Sequence, residues 1–387
     1  MTYWKYYDPD FDWDDAAELV RPDPDWTRER FAERGFSESE IAALIASGYV
    51  MVKPFDVVID RFHGGALSST DGRTRVASSQ LREWLSAPRG SIPIFKATST
   101  ADVLRHIDHL QSRASRPLVF RGQTRNYPLV REIGNPMLAY EGVGEVSLLP
   151  SLWRAMCARR PMSCLNFTSL SLFEWSKVVY SQFDLSEVKR REVACNAAGE
   201  WLHNHHDFED SNDPLLQEFG RVALDLAYGL NYNLADSLST LLQHYGLRSP
   251  VLDLTTDLDV ALFFATHELK CHGGVSSYSF VGTNCRNAVL YVFRRDAREM
   301  TDYTQERVLN GLKPLRPHVQ SCVICRTGPF AVNLCADFLV GLISLDFDDT
   351  PPGRFAPTDL FPSDSLDTFL AALKQNLLRS ELLLDIP

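Results

Sequence analysis

The sequence predicts an α+β protein with apolar strands on both sides of a long helical region. Residues 165–245 carry apolar side chains at helical spacing, for example from Leu215 to Tyr228, and they predict a large helical insertion at about 155–245. Three apolar segments have the length and composition of strands: RPLVFRGQ at 116–123, NAVLYVFRR at 287–295 and DFLVGLISLDF at 337–347.

The composition is that of an ordinary globular protein, and several function classes do not fit it. The 387 residues are enough for a large core and two or three domains, or for one domain with insertions. The net charge of −11 disfavours non-specific binding to DNA or to a membrane, since such binding needs a basic surface. No apolar run reaches the roughly 18 residues that span a bilayer, and the acidic N-terminus lacks the basic start of a secretory signal. We therefore expect a cytoplasmic protein whose scattered cysteines are reduced.

Composition divides the chain into three regions. Residues 1–90 form an acidic N-terminal region, which we expect to regulate a cleft or to bind a partner. Residues 91–345 hold the strands and the helical insertion, and residues 346–387 form a helical tail. In the first region, SESEIAALIASGYV predicts a capped helix, because Ser37 and Glu40 have the spacing of a capping box.

The segment LLQHYGLRSPVLDLTTDLDVALFFA, at 241–265, places polar side chains inside an apolar run. Gly246 ends a predicted helix, and Pro250 excludes helix from the residue before it, so a short strand is predicted at 251–254. A second helix is predicted to begin near Asp257. The polar side chains therefore fall at a helix end, a strand end and a helix start. Such places line clefts and expose N–H groups that favour anions.

Arg121 ends another predicted strand, where an unpaired buried charge would be costly. Its guanidinium suits a phosphate or a carboxylate, which it can bind through two parallel hydrogen bonds. Two interpretations stay open: Arg121 binds an anionic ligand, or it forms a salt bridge with Asp253 that locks the core. His244 and Tyr245 likewise either face a ligand or are satisfied polar groups of the core.

Three ordered motifs resemble those of the FRG-domain family, which is named for the first of them. The motifs are FRGQ at 120–123, LLPSLWR at 148–154 and the segment at 241–265. The family form of the third motif is close to QHYGLPTRLLDWT followed by ALFFA. This chain departs from it at Ser249-Pro250-Val251, where Thr-Arg-Leu is common, and at Leu254, where Trp is common.

The order of these motifs is also similar to that of the ADP-ribosyltransferase fold, and this resemblance implies a split sheet and a set of site residues. Enzymes of that fold place an Arg or His on one strand, a Ser-Thr-Ser-like strand followed by a helix, and a Glu on a later strand. Arg121, the LDLTT segment and Gln320 follow in that order. The resemblance implies catalytic roles for Arg121, Asp253 and Gln320. It implies that NAD, as a substrate, is bound by Arg121, Gln123, His244, Tyr245 and Thr255.

Cleavage of the glycosidic bond of NAD passes through an oxocarbenium-like state, which a nearby anion stabilises. Asp253 or Glu306 is the candidate for that anion, because Gln320 carries no charge and can only orient a ribose hydroxyl. Arg121 would hold the diphosphate or the nicotinamide ribose.

The function that the resemblance implies is an NAD-dependent ADP-ribosyltransferase that acts as an effector toxin in a bacterial defence or toxin–antitoxin system. The acceptor would be a macromolecule, RNA or protein, and an antitoxin or chaperone would be a second partner. Two alternatives stay open: a non-catalytic module that binds a nucleotide or ADP-ribose, and an NAD glycohydrolase.

Two stretches are weak candidates for metal binding, and we expect no metal. HNHHDFED at 203–210 contains the His-Asp dipeptide of metal-dependent phosphohydrolases, but a solvated loop is the preferred interpretation. In a strand, Cys322 and Cys325 point to opposite faces, so these two and His318 do not make a zinc site.

Overall fold

The structure is a computed structural model that describes residues 24–52, 57–60, 92–129, 139–140, 144–146, 148, 150, 180, 183–229, 240–241, 243–246, 249, 251–272, 275–282, 287–297, 300–303, 313–325, 338–346 and 353–377. Residues 1–23, Glu306 and most of the LLPSLWR motif lie outside these ranges.

The described residues form helices and strands with the following bounds. The helices are Pro24–Glu33 (α1), Glu38–Ala46 (α2), Thr100–Arg113 (α3), Leu185–Ala197 (α4), His205–Glu209 (α5), Pro214–Gly229 (α6), Leu258–Thr266 (α7), Leu315–Val319 (α8), Pro357–Leu360 (α9) and Thr368–Leu377 (α10). The strands are Tyr49–Val52 (β1), Val57–Asp60 (β2), Ile94–Ala97 (β3), Leu118–Gln123 (β4), Pro128–Leu129 (β5), Ala139–Tyr140 (β6), Gly144–Val146 (β7), Asp253–Thr255 (β8), His267–His272 (β9), Val275–Phe280 (β10), Val289–Arg294 (β11), Met300–Asp302 (β12), Cys322–Cys325 (β13) and Leu339–Leu345 (β14).

Seven strands form a mixed sheet in the order β12-β13-β8-β4-β11-β14-β3. Neighbouring strands are antiparallel except β14 and β3, which are parallel. Strands β9 and β10 form a separate antiparallel hairpin. With helices between and around these strands, the predicted α+β class is confirmed.

The sheet opens between β4 and β8. These two strands pair at one position, Phe120 with Thr255. On its other side, β4 pairs with β11 from Gln123 to Leu118. The divergence of β4 from β8 leaves room for side chains at the positions that follow the single pair.

Gly122 allows α7 to pack closely on β4. A Cβ atom on this residue would lie 1.8 Å from the carbonyl oxygen of Ala261 and 2.7 Å from the nitrogen of Ala265. Both atoms belong to the backbone of α7, so they cannot move aside as a flexible side chain would. The contact between this strand and this helix therefore requires the glycine of the FRGQ motif.

The N-terminal elements follow local signals that the sequence contains. Ser37 caps α2 and forms the predicted capping box with Glu40. The apolar stretch after this helix contributes to β1 and β2, which pair as an antiparallel hairpin. Thr27 joins α1 to the hairpin, because its Oγ1 accepts a hydrogen bond from the Met51 amide at 3.2 Å.

The predicted helical insertion contains α4, α5 and α6. A buried cluster that includes Phe208, Leu216 and Phe219 holds these helices together. The solvated loop predicted over HNHHDFED is wrong in part, since α5 forms there with Asn204 as its N-cap and Asp207 completing a capping box. Short polar side chains that satisfy the first N–H groups explain why so short a helix begins at this place.

The described residues include no helix that is long and apolar enough to cross a membrane.

We expect Gly122→Ala to lower the free energy of unfolding by at least about 3 kcal/mol, because β4 and α7 must separate to admit the methyl group. Gly341→Ala is the control. Its Cβ would meet only the side chain of Leu110, at 2.6 Å, and that side chain can change rotamer. Chemical denaturation measures both losses, and a Gly122→Ala variant as stable as the wild type would contradict the close packing.

A second prediction concerns His205, the first residue of α5, where burial lowers the pKa to about 4. The unfolded chain then binds a proton more readily than the folded one, so stability is complete above about pH 6.5 and falls as the pH drops towards 4. At pH 5 the loss is about 2 kcal/mol.

Denaturant unfolding between pH 7.5 and pH 5 checks this dependence. We expect His205→Gln to flatten it and His109→Gln, at an exposed position of α3, to leave it unchanged. Equal slopes for His205→Gln and the wild type would show that His205 is not the group responsible.

Candidate functional site

A cavity of about 170 Å³ lies where β4 and β8 diverge. Residues from both strands, from α7, from β10 and from the ends of two helices line it. The polar lining residues are Arg121, Gln243, His244, Asp253, Thr255 and Gln320. Phe120, Phe264 and Tyr278 are aromatic residues of the same lining.

Arg121 and Asp253 form an ion pair across the division of the sheet. Arg121 Nη1 donates to Asp253 Oδ1 and to the Asp253 main-chain oxygen, each at 2.7 Å. Gln243 Nε2 donates to the same Oδ1 at 3.1 Å. Burial opposes ionisation of Asp253, but the charge of Arg121 outweighs it, and the pKa of the carboxyl is lowered. Of the two interpretations of Arg121, the structure contains the salt bridge.

His244 occupies the last helical turn before Gly246, whose φ of 79° lets the chain leave the helix as predicted. His244 Nε2 lies 3.1 Å from Cys322 Sγ. Burial lowers the pKa of His244 and raises that of Cys322. At neutral pH an uncharged ring therefore faces a protonated thiol.

Arg316 is a buried cation behind the cavity. Its side chain lies over the rings of Tyr245 and Phe361, at 5.1 and 5.5 Å from their centroids. Its Nη1 donates to the main-chain oxygen of His244 at 3.3 Å. These contacts connect α8 to the helical turn that carries His244 and thereby fix the position of that residue.

The start of α7 is closed by its own cap. Asp257 is the N-cap, and its Oδ1 accepts from the Asp259 amide at 2.9 Å. Arg354 binds the other carboxylate oxygen of Asp257 at 2.6 Å. This helix start therefore disfavours an anion, because the acidic cap accepts from one of its N–H groups and repels a second negative charge.

Thr255 joins the three elements around the cavity by hydrogen bonds. Its Oγ1 donates to the main-chain oxygen of Gln320 at 2.8 Å and accepts from the Asp257 amide at 3.0 Å. Gln320 follows α8, and β13 begins only at Cys322, so Gln320 does not lie on the strand that the resemblance implies for it. Ser321, with a φ of 47°, turns the chain from the helix into the strand.

Two residues expected to bind NAD do not line the cavity. Tyr245 is fully buried, and its hydroxyl donates to Asp367 Oδ2 at 2.5 Å. Burial raises the pKa of this hydroxyl. Gln123 is the last residue of β4, and its Oε1 accepts no hydrogen bond from the described part of the chain. Of the two interpretations of Tyr245, the structure therefore agrees with the second, a buried core residue whose hydroxyl is hydrogen-bonded.

The C-terminal segment, which we define as residues 353–377, contributes contacts that the sequence did not indicate. Phe361 stacks on Tyr278 with ring centroids 4.4 Å apart and meets Phe264 edge-on at 6.0 Å. Burial raises the pKa of Tyr278 to about 12. These rings belong to elements far apart in the chain, and no motif or spacing connects them.

The charges of the described lining residues cancel. Arg121 and Asp253 carry one charge each, and His244 is neutral. An anion that entered the cavity could accept from Arg121 Nε, which makes no hydrogen bond within the described residues, but Asp253 already compensates the charge of that guanidinium. Because burying an uncompensated ion is expensive, the site does not favour a phosphate at this position.

No group of three His, Cys, Asp or Glu side chains in the described ranges is arranged to hold a metal ion.

The FRG-domain family model matches residues 186–272. The match begins in α4 and includes the whole segment at 241–265, whereas the FRGQ motif lies before it. Over these residues the chain is therefore similar to the FRG domain, as the motifs predicted. Comparison with curated proteins and with solved structures gave no match.

We expect Asp253→Asn to lower the free energy of unfolding by about 3 kcal/mol, because the partly buried Arg121 would lose the charge of its partner while the shape of the side chain is kept. Asp364→Asn is the matched control, since Asp364 pairs with Lys374 at an exposed position and should contribute less than about 1 kcal/mol. Urea unfolding at pH 7 measures both. Equal, small losses in the two variants would show that the buried pair does not hold β4 to β8.

Proposed function

We propose that the protein is an NAD-dependent ADP-ribosyltransferase that binds NAD in the cavity between β4 and β8. The proposal is carried by the meeting of Arg121, on β4, with Asp253 and Thr255, on β8, at one cavity. Strand β13 lies next to β8, and Gln320, just before it, lines the same cavity. These are the positions that the resemblance to ADP-ribosyltransferases implies for the reaction.

The size of the cavity limits which part of NAD it can enclose. Pockets that enclose a drug-sized ligand have volumes of roughly 300–1,000 Å³. At about 170 Å³, this cavity is smaller and suits one ring with part of its ribose. In the proposed complex the nicotinamide end lies inside, and the diphosphate and adenosine lie outside.

The residues have defined roles in the proposed reaction. Arg121 donates to a ribose hydroxyl and does not hold the diphosphate, because Asp253 neutralises it. The bond between ribose C1′ and nicotinamide breaks, and its electron pair leaves with nicotinamide. The Asp253 carboxylate stabilises the positive charge that develops on the ribose. A nucleophilic atom of the acceptor then bonds to C1′ and loses its proton to solvent.

The biological setting that fits this reaction is an effector toxin of a bacterial defence or toxin–antitoxin system. Such a protein acts in the cytoplasm on RNA or protein and needs an antitoxin or chaperone. The acidic N-terminal region is the part of the chain that we assign to this partner.

A non-catalytic nucleotide-binding module is the second candidate. It is favoured by the state of Asp253, the described carboxylate of the cavity, whose Oδ1 already accepts from Arg121 and Gln243. Gln320, which stands where those enzymes have a catalytic Glu, supplies no charge. The same cavity would then recognise the nucleotide without cleaving it.

Incubation of the purified protein with adenylate-labelled NAD and a cell lysate tests the proposal. We expect label in one macromolecular fraction with the wild type, and at least about tenfold less with Arg121→Lys, because an ammonium cannot reproduce the forked contacts of a guanidinium. Arg113→Lys, at an exposed position near the end of α3, is the control and should keep the wild-type rate.

The other products identify the alternatives. Label found only in free ADP-ribose would mean a glycohydrolase. NAD that binds but stays intact would mean a binding module, and NAD that neither binds nor reacts would contradict the proposal. Arrest of bacterial growth by the wild type but not by Arg121→Lys would support the toxin role.

A further inference from the structure

Two glutamine side chains of the cavity have amide orientations that their partners impose. Gln320 Nε2 donates to the main-chain oxygen of Leu360 at 2.9 Å, and Gln243 Nε2 donates to Asp253 Oδ1 at 3.1 Å. A main-chain carbonyl and an ionised carboxylate only accept hydrogen bonds. Each amide must therefore turn its NH₂ group to its partner and its Oε1 away from it.

The oxygen atoms that remain are acceptors on the wall of the cavity. Among the described residues, no other residue donates a hydrogen bond to Gln243 Oε1 or to Asp253 Oδ2. The Gln320 side chain also hydrogen-bonds with His244. A carbonyl oxygen has two lone pairs, so one remains for a ligand.

The rest of the lining fits a ligand without negative charge. Arg121 and Asp253 compensate each other, as described above. Phe264 and Tyr278 line the cavity, and the face of an aromatic ring attracts a cation. A buried anion would instead meet these oxygen acceptors, and the Arg121 guanidinium that could donate to it through Nε is already paired with Asp253.

Contacts of the C-terminal segment hold the Leu360 carbonyl in place. Asp367 accepts from the Tyr245 hydroxyl and, at 3.3 Å, from the Leu315 amide. Leu360 is fully buried, in one cluster with Val260 and Phe263 of α7. The orientation of Gln320 thus depends on a segment that lies outside the residues matched by the FRG model.

We infer that the cavity selects a neutral or cationic group that carries N–H or O–H donors, and that the Leu360 carbonyl sets this selectivity through Gln320. The inference rests on the proposed function in one respect: it takes NAD as the molecule that carries this group. In NAD the group with this chemistry is the cationic nicotinamide ring with its carboxamide and the adjoining ribose hydroxyls.

Free nicotinamide and free nicotinate test the selectivity. The two rings have nearly the same shape, but nicotinate has a carboxylate in place of the donor-bearing carboxamide. Ligand-observed NMR titration of the full-length protein gives both dissociation constants. We expect nicotinamide to bind at least about tenfold more tightly, because a site with fixed acceptors rejects a ligand that lacks the donor. Equal binding, tighter binding of nicotinate, or no binding of either ring would overturn the inference.

Gln320→Leu tests the role of the oriented amide. We expect the ratio of the two dissociation constants to fall towards one in this variant. Gln111→Leu is the matched control, because Gln111 Nε2 also donates to a main-chain oxygen, that of Arg116 at 3.1 Å, but at an exposed position. A ratio unchanged by Gln320→Leu would contradict the assignment. Where that variant does not fold, Gln243→Leu gives the same readout at the second acceptor.

Failure of this inference can be told from failure of the proposed function. Cleavage of NAD by a protein that binds nicotinate as well as nicotinamide would remove the selectivity and keep the reaction. Selective binding of nicotinamide by a protein that leaves NAD intact would keep the selectivity and remove the reaction.

Discussion

The ion pair between Arg121 and Asp253 joins two strands that otherwise pair at a single position. Strands β4 and β8 share one register pair, Phe120 with Thr255, and then separate. Beyond that pair, Arg121 Nη1 reaches both the side chain and the main-chain oxygen of Asp253. Gln243 donates to the same carboxylate, so the helical turn before Gly246 is tied to both strands. A cavity is left where a continuous sheet would have paired, and its shape depends on this pair.

The other walls of the cavity come from contacts between distant parts of the chain. Gly122 lets α7 lie against β4, which brings Phe264 to the cavity. The C-terminal segment packs against another part of the lining, where Phe361 stacks on Tyr278 and the Leu360 main-chain oxygen accepts a hydrogen bond from Gln320 Nε2. The result is a pocket lined by hydrogen-bond acceptors and aromatic side chains, in which the charges of Arg121 and Asp253 cancel. For this reason the proposed NAD complex places the nicotinamide end inside and the diphosphate outside.

Local signals in the sequence predicted many helix starts, helix ends and strands, because capping and apolar periodicity act over a few residues. Ser37 caps the helix expected of it, and Gly246 ends its helix. The errors lie where partners are remote. Tyr245 was assigned to NAD, but its hydroxyl binds Asp367, which is 122 residues away. The resemblance implied a strand position for Gln320, whereas this residue follows α8 and Ser321 turns the chain into β13. The sequence already allowed the salt bridge between Arg121 and Asp253, which the structure contains, whereas the cavity beside that pair depends on the fold. The ADP-ribosyltransferase fold, NAD and the macromolecular acceptor stay predictions.

The most direct test of the central claim is saturation-transfer NMR of NAD with the full-length wild-type protein. If the nicotinamide end enters the cavity between β4 and β8, saturation will be strongest on the nicotinamide ring protons and the adjoining ribose, and weaker on adenine. Free nicotinamide should displace NAD from the cavity and thereby remove this saturation. Saturation of the adenine protons alone, or of no NAD proton, would contradict the assignment of this cavity to NAD.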